Sequence, residues 1–387
     1  MTTKKQIDCA ILDFSKAFDT VPHAKLLHKL SSYGITGPIH AWLSQFLSAR
    51  SMRVVLDGES TNEVPVISGV PQGTVLGPLL FLCHINDLPQ CVNSQIRLFA
   101  DDCLLYRQIN NQRDHLTLQS DLDNLQSWAS TWGMRFNTRK CFIMSIRNKS
   151  QRFYTLNGEI LHDVSSSPYL GITISNDLKW ATHINKTAKK ASSTIGFLRR
   201  NLKYCRTSGK HNAYISMVRS GLEYGSVIWD PYLKGDIAKL ERVQHQAARF
   251  ITGDYKSHEA GCMSSMLHDL QLLPLKERRY QNRLIFLYKI IEGLIPAIPP
   301  EQYLTPRRPG RNIRSTSFSD FVASNIVHQY ACNNQRGFQV PAAKHDQYKS
   351  SFFCRTIVDW NHLSDSIVNS TTVGRFKGAL GSLTFHD

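Results

Sequence analysis

Two apolar runs in this chain stop abruptly on carboxylates. Ile7-Asp-Cys-Ala-Ile-Leu-Asp13-Phe14 closes on Asp13, and the run from Gln95 to Ala100 meets Asp101-Asp102 before Cys103 to Arg107 resumes it, about 88 residues later. Short apolar runs of this kind read as buried strands, the second pair as a hairpin with both aspartates in its turn. Carboxylates from separate elements meeting at one point are what a two-metal phosphoryl-transfer site needs, with ions about 4 Å apart clamping the attacking and leaving oxygens. Mg²⁺ takes oxygen ligands and keeps several waters, so two or three carboxylates are sufficient. Neighbouring strand residues face opposite ways. Asp101 and Asp102 therefore both reach an ion only at the tip of a tight hairpin, with Asp101 expected as the direct ligand and Asp102 as a weaker or outer contributor. Taken alone, an Asp-Asp pair in a turn is usually just an exposed turn.

The rest of the front half fits an α/β chain. Pro22 opens a helix that carries Leu26, Leu27 and Leu30 on one face as far as Gly34, and Pro38 to Leu47 is a second. Arg53–Leu56 and Val64–Ile67 flank Asp57-Gly58 as a hairpin; Ser68 to Gly73 is a loop; Val75 to Leu88 is an apolar helix. Leu116, Leu118, Leu122, Leu125, Trp128 and Trp132 mark a long amphipathic helix ended by Gly133. Strands follow at 141–146, 153–156 and 169–174, with Asn157-Gly158 a hairpin turn. From Trp180 to Ile291 the pattern is helical. Pro296, Pro299, Pro300, Pro306 and Pro309 mark a linker, and short helices are expected at 355–363 and 375–380.

Composition narrows the partner. With 387 residues and 42% apolar side chains the chain has room for about two or three domains and is no disordered tail. Its net charge of +16 argues for a polyanion, nucleic acid or an anionic membrane. Residues 1–106 hold 8 Lys and Arg against 9 Asp and Glu, whereas 107–387 hold 38 against 21, so carboxylates and cations occupy separate regions. Nine scattered cysteines without a C-x-x-C pair exclude a zinc ribbon and suit reduced thiols inside a cell. No secretory signal is visible, and Val75 to Ile85 is too short to span a bilayer.

Several motifs in one order resemble the reverse transcriptases of non-LTR (LINE-like) retrotransposons. They are Asp13-Phe-Ser-Lys-Ala-Phe-Asp19, Ser68-Gly-Val-Pro-Gln-Gly-Thr-Val-Leu-Gly-Pro78 with Ile85-Asn-Asp-Leu88, Phe99-Ala-Asp-Asp102, Gly133-Met-Arg-Phe-Asn137 with Lys140, and Tyr169-Leu-Gly-Ile172. Together they cover about residues 7–175. Glu241-Arg-Val-Gln-His-Gln-Ala-Ala-Arg249 also looks like the region that follows the palm in such elements.

The resemblance implies an α/β (α+β) polymerase palm with an antiparallel sheet over 1–178, a helical thumb over 179–295 and a C-terminal region over 296–387. It implies RNA-directed DNA synthesis on an RNA template and DNA primer, with dNTPs and two Mg²⁺ ions (or Mn²⁺). Asp13, Asp101 and Asp102 would hold the metals, with the Phe14 carbonyl as an extra ligand. Phe18 would be a steric gate against a 2′-hydroxyl, and Gln72 and Gly73 would meet the incoming nucleotide. Lys140 would serve the leaving pyrophosphate, and Tyr169, Leu170 and Gly171 the primer terminus. Where the family usually has Thr or Ser after this lysine, the chain has Cys141. The location implied is intracellular, nuclear or cytoplasmic, with no membrane partner. The family's fingers, upstream endonuclease, RNase H and zinc knuckle are not recognised, which implies an N-terminally truncated piece. A group II intron maturase or a telomerase-like polymerase shares the palm but not the expected features after residue 180. The rival class is an inactive nucleic-acid-binding remnant.

The basic half has its own focus. Lys186, Lys189, Lys190, Arg199, Arg200, Lys203, Arg206 and Lys210 fall in 25 residues without one acid, with Ile195, Phe197, Leu198 and Leu202 to anchor the segment. Such a run reads as a track for phosphate backbones, bound without regard to sequence, against the plainer reading of a solvated face. Arg307, Arg308, Arg311 and Arg314 form a second cluster, read equally as an RNA-contacting arm or a solubilising linker. His258, Cys262 and His268 are read as structural rather than as ligands, for want of a fourth donor.

Overall fold

The computed structural model describes residues 5–147, 152–307 and 332–382. Arg308, Pro309, Arg311 and Arg314 lie outside the described residues. The chain divides into two compact units, residues 3–178 and residues 179–387.

The first unit is built on a five-stranded sheet. Its order is His162–Asp163, Phe142–Ile146, Gln6–Asp13, Asp102–Ile109 and Gln95–Phe99. All neighbours are antiparallel except the first pair, which is parallel. Alternation sorts the central strand's residues. Ala10 and Leu12 join the main core, which also buries Leu26 and Leu30 of helix His23–Ser32, Phe81 of Leu76–Ile85 and Leu122 of Gln112–Trp132. Cys9 and Ile11 turn to the other face, where Met144 and Ile146 complete a small cluster and Leu104, Tyr106, Ile174 and Leu178 pack against it. The long helix Gln112–Trp132 starts where Asn111 accepts the Asp114 N–H at 3.1 Å and stops at Gly133, whose φ of 75° only glycine adopts without strain.

Three expectations need correction. The ribbon after Arg50 pairs as Val55–Leu56 with Glu59–Ser60 around Asp57-Gly58, while Val64–Pro65 returns to Ser51–Met52, because the two-residue turn fixes the near register. The apolar helix is shorter, Leu76–Ile85, followed by one 3₁₀ turn at Leu88–Cys91 where Pro89 supplies no N–H. The catalytic-type hairpin turns on Ala100-Asp101, and Asp102 already belongs to the returning strand opposite Phe99.

The second unit is helical. Ala181–Asn201 packs on Lys234–Thr252 through Ile184, Ala191, Ile195 and Leu198, spaced by three, four or seven residues. Phe197 is half-exposed and anchors nothing. The basic segment is two helices, not one, since the chain breaks between Asn201 and Thr207. Helix Leu275–Ile291 carries Arg279 and Arg283, both nearly inaccessible, onto one buried acid: their Nε atoms each donate to Asp230 at 2.8 Å, and Arg283 also reaches Asp359 at 2.8 Å. Glu241, in the post-palm motif, accepts the N–H groups of Leu275 and Lys276 and so caps that helix. Phe352–Asn361 and Val373–Gly381 close the unit, with Phe376 stacked on Tyr288 at 4.5 Å. Among the described residues no helix is long and apolar enough to cross a membrane.

Candidate active site

The register sets Asp13 directly across from Asp102. Opposed residues of an antiparallel pair share a face, and this is the face of the small Cys9–Ile11 cluster. Asp101 stands beside them in the turn, where Ala100 takes a left-handed φ of 50°. A non-glycine residue there stores on the order of 1 kcal/mol of strain. The three carboxylates sense one another. Burial, and then the charges of Asp101 and Asp13, push Asp102 above the usual carboxylate range. Burial raises Asp13 too; the Lys140 ammonium pulls it back and Asp101 adds to the rise.

The Gly133–Cys141 motif lies alongside the end of the central strand. Ser15 N–H donates to the Arg135 carbonyl and Asn137 N–H to the Asp13 carbonyl, both at 2.8 Å. The bridge these bonds flank pairs Phe14 with Phe136, whose rings stack at 4.3 Å. That pairing fixes Phe14 without using its carbonyl in the ladder. Lys140 ends a 3₁₀ turn and brings Nζ to 3.8 Å from the Asp13 carboxylate. Cys141 is buried; its sulfur accepts the Asp13 N–H at 3.4 Å and its S–H points to the Asp13 carbonyl at 3.7 Å, much as a hydroxyl would. Burial pushes that thiol up to about 11, which keeps it uncharged beside the aspartate.

The loop at 68–73 is zipped to the first motif. Gly69 N–H donates to Val21 and Val70 N–H to Phe18, both at 2.8 Å, and Ser68 Oγ donates to the Asp19 carbonyl. Gly69, at φ 87°, is required there: a Cβ would lie 2.8 Å from the Asp19 backbone. Gln72 is exposed, and its amide donates to the Asp19 carboxylate at 2.8 Å. Gly73 also has positive φ, with open space around it. Phe18 is half-buried and stacks on Phe81 at 4.4 Å, which fixes its ring as a platform. Tyr169 ends the strand Ser166–Tyr169, and Leu170-Gly171, both with positive φ, turn it back into Ile172–Ser175. Burial raises the Tyr169 phenol, and the Asp102 charge raises it further, so this hairpin approaches the carboxylates.

The eight cations of the second unit are all on its surface, Lys210 partly covered, and among the described residues none is held in an ion pair. Nothing brings His258, Cys262 and His268 together as ligands: among the described residues no three His, Cys, Asp or Glu side chains converge tightly enough to enclose a metal. That holds for the aspartates as well. In kind the donors fit divalent ions nonetheless. They are hard oxygens at one strand end, and their mutual repulsion is what a cation relieves.

Sequence reasoning passed over Asp19, although the residue closes the first motif, and over a buried lysine. Lys29 Nζ contacts Asp87 and the His84 carbonyl, lies 3.7 Å from the Trp132 ring centre and braces the end of helix Leu76–Ile85, which follows the loop.

Residues 1–174 match the family model for reverse transcriptase (RNA-dependent DNA polymerase). The chain carries a reverse transcriptase domain. The relatives it matches are polymerases of non-LTR retrotransposons, the kind that the motif order resembles. It is similar to the RNA-directed DNA polymerase from mobile element jockey of Drosophila melanogaster, at 28% identity over 267 residues, covering 65% of this chain and 29% of that protein. It is equally similar, at 28% over 320 residues, to the probable RNA-directed DNA polymerase from transposon BS of the same fly, covering 76% and 35%. The chain thus spans about a third of the length of these curated relatives. A telomerase structure from Candida tropicalis is a looser likeness, at 9% identity and a TM-score of 0.37, covering 71% of this chain and 43% of that one.

Proposed function

We propose that the chain performs RNA-directed DNA synthesis, with residues 1–178 as palm, 179–295 as thumb and 296–387 as a C-terminal region. The observation that carries this reading is the opposition of Asp13 and Asp102 across the strand pair, with Asp101 in the adjoining turn. These carboxylates, with the Phe14 carbonyl, would hold two Mg²⁺ ions, or Mn²⁺ in their place. When bound, the ions activate the primer 3′-hydroxyl for attack on the α-phosphate of a dNTP and stabilise the departing pyrophosphate. Phe18, braced by Phe81, excludes a 2′-hydroxyl. Gln72 exchanges Asp19 for the incoming nucleotide, beside Gly73, where the open backbone admits it. Lys140 leaves Asp13 for the pyrophosphate, so one ammonium serves both states. Tyr169, Leu170 and Gly171 position the primer terminus. Lys186, Lys189, Lys190, Arg199, Arg200, Lys203, Arg206 and Lys210 hold the nucleic-acid backbone. The setting is intracellular, nuclear or cytoplasmic.

The test is Mg²⁺-dependent extension of oligo(dT) on poly(rA). Asp13→Ala and Asp101→Ala should each abolish extension while leaving template binding intact. Binding by every variant with extension by none would show a nucleic-acid-binding remnant instead. Lys140→Ala sharpens the assay: loss of its ammonium raises the Asp13 pKa, so the acid limb of the rate profile should move to higher pH.

A further inference from the structure

The second unit contains a cleft that a phosphate track alone does not explain. Helices Ala181–Asn201 and Lys234–Thr252, with the loop that follows the second, line adjoining cavities of about 350 and 420 Å³. The two share Arg199, Phe250 and Tyr255 and therefore form one groove. Phe250 is a buried floor and Tyr255, 47% exposed, a wall. Arg199, Lys203, Lys210 and Arg249 are the charged residues of the lining, and no acidic side chain takes part. Arg249 is held in place by the carbonyls of Asp254 and Ser257, and Lys210 Nζ lies 5.6 Å from the Phe250 ring centre. The neighbouring Asp254 carboxylate is turned into its own loop, onto the N–H groups of Lys256 and Ser257.

Gly196 is the second observation. It lies inside helix Ala181–Asn201 and lines the groove, yet an added Cβ would meet only the Arg200 guanidinium, at 3.7 Å. Glycine weakens a helix interior relative to alanine, and no close approach of backbone requires it here. What its missing side chain does is leave the groove open.

A groove of this size accepts a flat group the size of a nucleobase. Aromatic walls beside unpaired cations suit a base stacked on a ring with its flanking phosphates on the ammonium and guanidinium groups. A duplex offers only its phosphates to such a site, because its base faces are already stacked. We propose that this groove is a single-strand site, which seats an unstacked base against Tyr255 and Phe250 and its phosphates on Arg199, Lys203 and Lys210. The inference deepens the polymerase reading by naming the strand the helical unit grips, and it rests on that reading for the choice of nucleic acid among polyanions.

The experiment uses the full chain and fluorescence anisotropy with four labelled probes of about 12 units: oligo(rU), oligo(dT), the blunt duplex and an oligo(dT) bearing abasic sites. Tyr255→Ala, which removes the wall, and Gly196→Leu, which fills the groove while favouring the helix, should each weaken binding of both single strands about ten-fold. Duplex binding should change less than about two-fold, and the abasic probe should not distinguish Tyr255→Ala from the parent. The ratio of rU to dT affinity assigns the site to RNA or to DNA. Equal weakening of duplex and single strand, or no weakening by either variant, overturns the proposal. Asp101→Asn, tested beside them, should lose extension and keep single-strand binding. A chain that binds in this pattern without extending a primer would sink the polymerase reading alone.

Discussion

The two units solve opposite electrostatic problems. Residues 1–178 carry 16 Lys and Arg against 15 Asp and Glu; residues 179–387 carry 30 against 15. The near-neutral unit gathers like charges at one strand end and restrains them with a neighbouring lysine. The basic unit pairs its buried charges, Asp230 with Arg279, Arg283 and Arg355, and leaves the eight cations of its 186–210 run without an ion pair among the described residues. Their backbones differ in the same sense. Of the nine non-glycine residues with positive φ among those described, only Gln271 lies in the helical unit. The first unit aims its groups by strained turns, and the second by helical periodicity. Crowded carboxylates thus depend on backbone placement, while a diffuse phosphate surface needs only a regular one.

Breaking the buried pairing should therefore cost most. Asp230→Ala strips the buried Arg279 of its close partner and Arg283 of one of its two acids, and should destabilise the helical unit by about 3–5 kcal/mol, read from urea unfolding followed by circular dichroism. A loss below about 1 kcal/mol would mean that the arginines find other partners. In the sheet unit the largest effect should come from acid. Burial and the neighbouring Lys29 charge push His84 down to about 4 from its ordinary 6.5, and its ring lies edge-on to Trp128 and Trp132. The unfolded chain binds that proton first, so stability is complete above pH 6.5 and declines as pH falls toward 4, by on the order of 3 kcal/mol. His84→Leu should flatten that limb, and a limb that persists unchanged assigns it to other groups. Gly77→Ala should cost about 1–3 kcal/mol, because the new methyl meets the Pro71 carbonyl and forces the loop away from its helix. Thermal unfolding measures it, and an unaltered midpoint would show the loop free to yield. Asn111→Ala should cost least, about 1 kcal/mol, through the lost cap of the long helix.

The parts of this fold that were legible share a local cause. Asp57-Gly58 and Asn157-Gly158 adopt the double positive-φ turn that their composition favours, and Leu118, Leu122, Leu125 and Trp128 mark the buried face of Gln112–Trp132, whereas Leu116 of the same pattern is exposed. Alanine carries no such signal. Ala100 is driven to φ 50° by the two strands it joins, so the turn sits one residue earlier than the Asp-Asp pair suggests. The break after Asn201 has neither proline nor glycine to announce it. Long-range pairs leave no trace in local pattern: Lys140 with Asp13, Gln72 with Asp19, and Asp230 with arginines 49 and 53 residues away arise only when the elements are assembled. The motif residues were readable as chemistry, but not the partners that hold them in place.

The contact between Lys140 and Asp13 carries a last consequence. An ammonium on a short tether competes for a carboxylate at an effective concentration in the millimolar range, fixed by the chain and not by the buffer. On the proposed reading a divalent ion would have to displace that ammonium, and the apparent metal affinity would be set from within the chain. Shortening or neutralising that one side chain would then alter how much free metal the site demands.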